Sequence, residues 1–335
     1  MKKIKTLLLG LGRIATLLEK DEFRYHPCTH SGAMLRSALS ERFDLAGAYD
    51  PDHKRTKEFL QDWNLEICTI LSDIERRQFD LCIIASSSEA HFENFCFAAN
   101  MGIKRILIEK PVCIHYKDLL KLKKLAELNQ ISVWVNHERR YHPVYNYAKD
   151  LLMSGEAGKV KTIRAAVLTS YKDPGQAYKT KSGGPLLHDG THALDFLDFL
   201  LGKAKRVHFH RIERQRRNYP EKTALAVIEY PENVFVFLEA GGERNYFQFE
   251  IDIETTEKRI ILSNDGHKIF SSAESPLYKG FKSLKEEAFP QFENLNPWIF
   301  LYQEIIDHFD QKSIQIKGSL SANQRILKLI NLLYS

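Results

Sequence analysis

The sequence predicts a doubly wound α/β domain with a parallel sheet, followed by a second domain with a mostly antiparallel sheet. The chain has 335 residues, about twice the ~150 residues of a typical domain. Over residues 4–135, short apolar runs alternate with amphipathic stretches, as strands and helices do in a parallel sheet covered on both faces. Over residues 205–270, apolar and polar residues alternate as in antiparallel strands. We therefore predict domains at residues 1–136 and 137–335.

Six apolar runs predict the strands of the first domain. They are Ile4–Leu9, Asp44–Tyr49, Leu65–Ile70, Phe79–Ala85, Ile103–Ile108 and Ile131–Val135, the third being the weakest. The clearest intervening helix is Tyr116–Leu128, whose five leucines lie on one broad face. Six strands separated by helices fit a dinucleotide-binding fold.

Helices and strands also alternate in the second domain, but in a different pattern. The predicted helices are Tyr141–Met153, Pro185–Leu201, Trp298–Phe309 and Ser321–Leu333. A strand, Lys159–Ser170, follows the first of these helices, and strand-like alternation runs from Lys205 to Phe270. Ser321 is a candidate cap for the last helix.

The composition indicates a globular protein with a sizeable core, because 44% of the residues are hydrophobic and 27% are charged. The net charge of +5 is too small a bias to indicate nucleic-acid binding. The densest basic stretch, Lys203–Arg217, is interpreted as a solvated strand and loop, with attraction of an anionic substrate as the alternative. No apolar run reaches the ~18 residues of a membrane span, so we expect no membrane partner.

The amino-terminal segment and the cysteines favour a cytoplasmic location. Arg13 interrupts the first apolar run and no small-residue cleavage site follows, so we expect no signal peptide. The five cysteines are an odd number without a C-x-x-C pair, and they are interpreted as reduced core thiols.

A glycine-rich loop follows the first predicted strand. It reads Gly10-Leu11-Gly12-Arg13-Ile14-Ala15 and is expected to open a helix. Gly10 permits the tight turn, Gly12 lets the backbone approach a pyrophosphate, and Ala15 is small enough for the helix to pack on the strand. In this strand–loop–helix context the loop predicts a dinucleotide site.

The acidic partner of this loop is predicted to be Asp50, at the end of the second strand. It lies 38 residues after Gly12, whereas about 20 are usual, and an insertion at residues 20–33 explains the excess. A carboxylate there accepts hydrogen bonds from ribose hydroxyls and repels a 2′-phosphate. The nearby positive charges of Lys54 and Arg55 weaken this preference for NAD. NAD is therefore the favoured cofactor, and NADP is the alternative.

The insertion at residues 20–33 contains side chains that bind metals in other proteins. They are His26, Cys28 and His30, beside Tyr25. Their spacing is poor for a metal site. A lid or surface loop is the favoured interpretation, and a His/Cys metal site is the alternative.

Several further motifs together resemble one family. The motifs are Ala85–His91, Glu109-Lys110-Pro111, Arg139–Pro143, Gly155–Val160 and Gly183–Asp195. In this combination the chain resembles the glucose–fructose oxidoreductase / inositol dehydrogenase / MocA-like family over almost its whole length. The resemblance implies a Rossmann domain plus an α+β domain with a large open sheet, and NAD(P)-dependent oxidation or reduction of a sugar-like alcohol. It implies no metal.

The resemblance and the loop chemistry together define the predicted cofactor site. Its residues are Gly10, Leu11, Gly12, Arg13, Ile14, Asp50, Ser86, Ser87, His91, Glu109 and Lys110. Lys110 ends a parallel strand, where α/β folds place their ligands. A lysine there can donate to the reacting oxygen and stabilise developing negative charge.

His188 and His192 are four residues apart on one predicted helix, so both are expected to face one pocket. The family resemblance assigns proton transfer to His192, and an imidazole titrates in the range that this requires. The family usually has an aspartate where this chain has His188, and here Asp189 follows. We predict Lys110, His192 and His188 as catalytic residues. A structural helix and half of a zinc site are the alternatives for the histidine pair.

The predicted substrate contacts come from three places in the second half of the chain. They are Arg140, Tyr141, Tyr171, His188, Asp189 and His192. A domain-junction salt bridge is the alternative for Arg140 and Tyr141, and loop packing is the alternative for Tyr171 and the nearby Tyr178.

The predicted function is hydride transfer between nicotinamide and a hydroxyl or keto carbon of a sugar, polyol or sugar derivative. A glycoside-cleaving enzyme that oxidises a sugar transiently and a non-catalytic sugar or dinucleotide sensor are the alternatives. The segments VFVFLEA (234–240) and FQFEIDI (247–253) are more apolar than a solvated sheet requires. They favour a homodimer or homotetramer formed through the second domain's sheet.

Overall fold

The computed structural model describes residues 2–170, 183–214, 220–313 and 315–335. The chain forms two compact units. Unit 1 is Met1–His142 with Asn296–Gln324, and unit 2 is Pro143–Leu295 with Arg325–Ser335. This division differs from the two continuous ranges expected from the sequence, because residues near the carboxyl end return to the core of unit 1.

Strands and helices alternate through unit 1, whereas strands predominate in unit 2. The strands are β1 (Ile4–Leu9), β2 (Phe43–Tyr49), β3 (Leu81–Ile84), β4 (Arg105–Glu109), β5 (Ser132–Asn136), β6 (Val160–Ser170), β7 (Arg206–Arg214), β8 (Glu221–Tyr230), β9 (Val234–Arg244), β10 (Gln248–Thr255), β11 (Lys258–Ser263), β12 (Gly266–Glu274) and β13 (Lys282–Glu287). The helices are α1 (His30–Leu35), α2 (His53–Trp63), α3 (Leu71–Ile74), α4 (His91–Asn100), α5 (Tyr116–Leu128), α6 (Pro143–Met153), α7 (Thr191–Leu201), α8 (Pro297–Phe309) and α9 (Leu320–Tyr334).

Unit 1 is built on a parallel sheet with strand order β2-β1-β3-β4-β5. The central strand β3 is buried throughout, and β1 is buried except at the partly exposed Lys5, as their apolar runs require. The predicted third strand, Leu65–Ile70, is wrong: its pairing with β2 in the described residues is an isolated bridge between Gly47 and Cys68. The exposed Glu66 and Ile70 show that this segment passes along the surface.

The helix α8 explains why the segment Asn296–Gln324 belongs to unit 1. Its buried face includes Trp298, Tyr302 and Ile305, and these side chains share one hydrophobic core with β1, β2 and β3. The ring centroids of Tyr302 and Phe43 lie 5.3 Å apart at a steep interplanar angle. Burying these aromatic side chains removes a large apolar area from water and holds the segment against unit 1.

The insertion interrupts the helix that was expected to follow the glycine loop. Thr16 N donates to Gly12 O at 3.1 Å, but the helical turn does not continue beyond Lys20. Instead, His30 N donates to Ile14 O at 3.2 Å and Ser31 N donates to Ala15 O at 2.9 Å. The helix is thus resumed by α1, and the insertion loops out between the two parts.

Unit 2 contains an eight-stranded sheet with the order β13-β12-β11-β10-β6-β9-β8-β7. Its described pairs are antiparallel except for β6 and β9, which run parallel. The predicted mostly antiparallel sheet is therefore confirmed. The helices α6 and α7 pack together on the sheet, with the ring of Tyr145 5.0 Å from Phe196 and 6.3 Å from Phe249.

Two details of the predicted helices differ from the structure. Only Leu119, Leu122 and Ala126 of α5 are buried, so its apolar face is narrower than five leucines suggested. The last helix begins at Leu320, one residue before Ser321, and Ala322 N donates to Ser319 Oγ at 3.4 Å. Ser319 therefore takes the capping position that the sequence assigned to Ser321.

All five cysteines are free thiols, and four of them are buried. Among the helices of the described residues, none has the length and apolar character needed to cross a membrane.

Candidate active site

The glycine loop between β1 and the following turn has the geometry that close approach of a phosphate requires. Gly10 adopts a φ of +93° and donates its N–H to Tyr49 O at 2.8 Å. A Cβ at this position would collide with the backbone of Ser86. A Cβ at Gly12 would meet nothing within 4 Å, so the loop faces open space there. Glycine is therefore required at position 10 by both conformation and packing.

The amides of this loop fit an anionic ligand. Within the described ranges, the N–H groups of Gly12, Arg13 and Ile14 donate to no protein atom. Successive N–H groups without partners form a concave site for phosphate oxygens. The residues present therefore fit a dinucleotide pyrophosphate, as the sequence predicted.

Asp50 joins the end of β2 to the glycine loop. Its side chain is nearly buried, Oδ2 accepts from Leu11 N at 2.8 Å, and Oδ1 accepts from Asp52 N at 2.9 Å. Arg55 Nη1 lies 3.2 Å from Oδ2. Each carboxylate oxygen has a further lone pair. The structure thus adds a positioning role, while the predicted contact with ribose stays a prediction.

The loop after β3 carries Ser86 and Ser87, and His91 is the first residue of α4. Ser86 lies directly against Gly10, and its hydroxyl accepts from Asn94 Nδ2 at 2.8 Å. His91 is 1% exposed, with Nδ1 2.8 Å from Pro111 O and Nε2 3.1 Å from Ser86 O. Burial lowers the pKa of His91. Both ring nitrogens of His91 thus face backbone carbonyls, and since a neutral imidazole has one N–H donor, one of the two contacts is a hydrogen bond. The predicted contact of His91 with the cofactor stays a prediction.

Glu109, at the end of β4, is the centre of a buried polar network. Its Oε1 accepts from Asn136 Nδ2 at 2.6 Å and lies 2.9 Å from His30 Nε2. His30 Nδ1 in turn lies 2.8 Å from the hydroxyl of Tyr302. Burial opposes ionisation of Glu109, but the contacts with His30 and Asn136 outweigh it and hold the pKa of Glu109 below its ordinary value.

This network places Lys110 beside a fixed negative charge. Lys110 N donates to Glu109 Oε2 at 3.3 Å, and the charge of Lys110 contributes to the lowered pKa of Glu109. The side chain of Lys110 is half-buried at the carboxyl edge of the parallel sheet. That is the edge at which the glycine loop leaves β1.

His30 was missed as a site residue because its partners are distant in sequence. Glu109 lies 79 positions away and Tyr302 lies 272 positions away. The sequence grouped His30 with His26 and Cys28 in the insertion, but its ring points to the network of Glu109. No local pattern signals a contact of this kind.

Arg140 and Tyr141, two predicted substrate contacts, are buried residues of unit 1. Tyr141 is 2% exposed within the core of unit 1, and its hydroxyl donates to Glu304 Oε1 at 3.1 Å. Arg140 is 4% exposed and donates to Lys317 O at 3.1 Å. Both side chains are thus buried within unit 1, and their predicted contact with substrate stays a prediction. Tyr171 and Tyr178 lie outside the described residues.

The histidine pair lies where a π-helical turn, Leu186–Gly190, leads into α7. His188 belongs to the π-helical turn and is 8% exposed, whereas Asp189 and His192 are half-buried. Every other residue from Leu186 to Asp198 is buried. Asp189 and His192 are therefore the polar groups that reach the surface of this helix. Such π-helical turns are frequent at functional sites.

The start of this helical segment is held by a buried carboxylate that sequence reasoning missed. Glu221 Oε1 accepts from Leu186 N at 2.8 Å and from the hydroxyl of Tyr334 at 2.9 Å. Gly184 leaves room for the carboxylate, since a Cβ there would overlap it. Burial raises the pKa of Glu221. Glu221 thus fixes the backbone from which His188 and His192 project.

Two family models match this chain. Residues 4–137 match an oxidoreductase family with an NAD-binding Rossmann fold, and residues 145–261 match the GFO/IDH/MocA C-terminal domain. Together the two models cover most of the chain. The first model confirms the cofactor class that the glycine loop indicates.

Two relatives of this chain are named as an oxidoreductase and a dehydrogenase. An uncharacterized oxidoreductase of Synechocystis sp. is 31% identical over 54% of this chain and 47% of its own length. The NAD(+)-dependent scyllo-inositol 2-dehydrogenase of Bacillus subtilis is 23% identical over 60% of this chain and 54% of its own length. The matches thus span about half the length of these relatives.

A crystal structure of the WlbA dehydrogenase from Bordetella pertussis, in complex with NADH and UDP-GlcNAcA, has the same fold. It superposes with a TM-score of 0.76 at 17% identity, over 99% of this chain and 96% of that one. At this identity the likeness concerns the fold alone.

Proposed function

Because this chain belongs to the GFO/IDH/MocA family of oxidoreductases, we propose that it transfers a hydride between nicotinamide and a hydroxyl or keto carbon of a sugar-like substrate. One observation carries the proposal. Two features lie at the same carboxyl edge of the parallel sheet: the glycine loop with its available amides follows β1, and Lys110 follows β4. Ligands of open α/β folds bind at that edge.

The bound nicotinamide would supply the hydride acceptor or donor, and the side chains of this protein would supply the proton chemistry. Lys110 would donate a hydrogen bond to the reacting oxygen and stabilise the negative charge that develops there. His192 would accept or return the hydroxyl proton. His188 and Asp189 would bind substrate hydroxyls, since both carry polar groups in the same helical segment.

The proposed substrate class is a sugar, a polyol or a sugar derivative. It is supported by the relative named scyllo-inositol 2-dehydrogenase and by the like-folded dehydrogenase solved with a nucleotide sugar. We propose NAD as the preferred cofactor, because the carboxylate of Asp50 would repel a 2′-phosphate. Arg55, 3.2 Å from that carboxylate, would reduce the repulsion.

The proposal is tested by turnover of a panel of polyols, sugars and nucleotide sugars, chosen after a thermal-shift screen with NAD and NADP. With the substrate so identified, Lys110→Ala should lower kcat at least 100-fold, because its stabilisation is greatest in the transition state. Lys121→Ala, on the exposed side of α5, is the control and should retain kcat.

Two results would contradict the proposed reaction. Release of a free aglycone without net change in NADH absorbance would identify glycoside cleavage. Binding of cofactor and sugar without turnover, together with unchanged ligand affinities in Lys110→Ala, would identify a sensor.

A further inference from the structure

The insertion between the glycine loop and α1 brings together three side chains of the types that bind zinc. They are Glu19, His26 and Cys28, and their ligand atoms all lie within 4.8 Å of one another. We propose that these three side chains form a binding site for a divalent cation of the Zn²⁺ type. The sequence makes such a site the alternative because the spacing of its histidines and cysteine is poor; in the structure Glu19, and not His30, lies with His26 and Cys28.

The distances between the ligand atoms fit a tetrahedral ion. Zn²⁺ lies ~2.0 Å from oxygen and nitrogen ligands and ~2.3 Å from sulfur, so ligand atoms around it are ~3.3–3.6 Å apart. Glu19 Oε1 lies 3.1 Å from His26 Nδ1, close to the expected separation, and Cys28 Sγ lies 3.7 Å from the other oxygen of the same carboxylate. All three ligand atoms lie within 4.8 Å of one another, so movements of ~1 Å or less would bring them to these separations.

The burial of the three side chains suits an ion that enters from one side. The side chain of Glu19 is 4% exposed and Cys28 is buried, whereas the side chain of His26 is 41% exposed. The open side at His26 gives the ion an entry path and leaves room for a water molecule as the fourth ligand. A thiolate, a carboxylate and a neutral imidazole would balance the two positive charges of the ion, which makes burial of the charges tolerable.

The carboxylate of Glu19 is oriented by neighbouring donors. Thr29 Oγ1 donates to Glu19 Oε2 at 2.6 Å, and Cys28 N donates to the same oxygen at 3.1 Å. A Cβ on Gly32 would overlap this carboxylate, so glycine keeps its place open. Partners of this kind fix ligands before a metal binds. Oε1, whose contact is His26, is the oxygen available to the ion.

A bound ion would cross-link the two ends of the insertion. Glu19 lies in the turn that leaves the glycine loop, and Cys28 lies two residues before α1. The role we assign to the ion is therefore structural, and it does not depend on the proposed oxidoreductase activity.

The experiment uses the full chain, stripped of metal with a chelator and titrated with Co²⁺ while absorbance is recorded. We expect one Co²⁺ per chain and a thiolate-to-cobalt charge-transfer band in the near ultraviolet. The band should be absent in Cys28→Ser. Cys96→Ser, at a half-buried thiol on α4, and His53→Asn, at an exposed imidazole on α2, are matched controls and should keep the band.

A second variant distinguishes loss of the metal site from loss of the fold. His26 is largely exposed, so His26→Asn should retain the native circular dichroism spectrum and weaken Co²⁺ binding at least tenfold. A stripped protein that gives no band, a band that persists in Cys28→Ser, or equal affinity in His26→Asn would each overturn the proposal. The last two results would place the ion elsewhere, and the first would leave Glu19 as a hydrogen-bonding anchor of the loop.

Discussion

At the scale of single residues, Asp50 has two roles, one in the structure of the glycine loop and one in the proposed preference for NAD. Its carboxylate accepts the N–H of Leu11 and thereby shapes the glycine loop, and it carries the charge on which the proposed preference for NAD depends. A variant that removes the whole side chain would confuse the two roles. The isosteric amide disturbs the structure less, because it removes the charge and keeps an acceptor for Leu11, although the N–H of Asp52 loses its acceptor.

We expect Asp50→Asn to weaken NAD binding and strengthen NADP binding, since a 2′-phosphate would no longer meet a carboxylate and Arg55 would be released from its partner. The ratio of the two dissociation constants should change about tenfold, which corresponds to ~1.4 kcal/mol. Titration calorimetry with both nucleotides measures it. Asp44→Asn, at an exposed position of β2, is the control. Tighter binding of NADP than NAD by the unmodified protein would contradict the assignment.

His192 is the residue to which we assign proton transfer. His192→Ala should lower kcat by ~10²–10⁴-fold, the usual contribution of a positioned acid or base, and leave the affinity for NAD unchanged. His188→Asp should be milder than His188→Ala if position 188 mainly binds substrate. Single-turnover hydride transfer in these variants and in the double alanine variant decides between the two histidines. If His188 carries the proton instead, the double variant will be little worse than either single one.

At the scale of secondary-structure elements, the network around Glu109 joins four of them. His30 comes from α1, Glu109 from β4, Asn136 from β5 and Tyr302 from α8. Each element packs through apolar side chains, but the polar contacts select one arrangement, since a buried carboxylate without donors is costly. The backbone that carries Lys110 begins at this anchored residue.

We expect His30→Ala to lower the free energy of unfolding by about 3 kcal/mol, because a buried carboxylate loses a partner. Tyr302→Phe, which removes only a hydroxyl from the same network, should cost about 1 kcal/mol. Urea denaturation measures both. A loss below that of Tyr302→Phe would show that His30 does not support Glu109.

The stability lost in His30→Ala should depend on pH, because the pKa of Glu109 is lowered in the folded protein. A carboxyl group whose pKa is lowered in the folded state stabilises the fold above its ordinary pKa of 4.5, and this stabilisation is lost as the pH falls further. The difference in the free energy of unfolding between the unmodified protein and His30→Ala should therefore be largest near neutral pH and decrease below pH 4.5. A difference that is constant down to the acid transition would contradict this account.

At the scale of the whole molecule, the sheet of unit 2 has an outward face that is apolar in one region. The exposed apolar side chains of β7, β8 and β9 are Phe209, Leu225, Phe235 and Phe237. The segment 247–253 contributes less than the sequence suggested, because Phe249, Ile251 and Ile253 point into the core. The apolar surface that favours self-association is therefore centred on β8 and β9.

We predict that the protein self-associates through this face. Phe237→Glu places a charge in the contact and should shift the protein toward the monomer in sedimentation velocity. Met153→Glu, at an exposed apolar position that ends α6, should leave the oligomeric state unchanged. A monomeric unmodified protein, or equal behaviour of the two variants, would contradict the prediction.

The sequence by itself determined the two-part fold class, the glycine loop and the position of Lys110 at the end of β4. Local patterns predict these features. The period of the apolar residues indicates which faces of a helix or strand are buried, and the glycines of the loop indicate its backbone conformation. Only the tertiary structure decided that His30 contacts Glu109, that Tyr141 is a core residue, and that α8 packs in unit 1. Such contacts depend on which segments, distant in sequence, pack together. A buried polar side chain needs a hydrogen-bond partner, but its neighbours in the sequence do not indicate which residue that partner is.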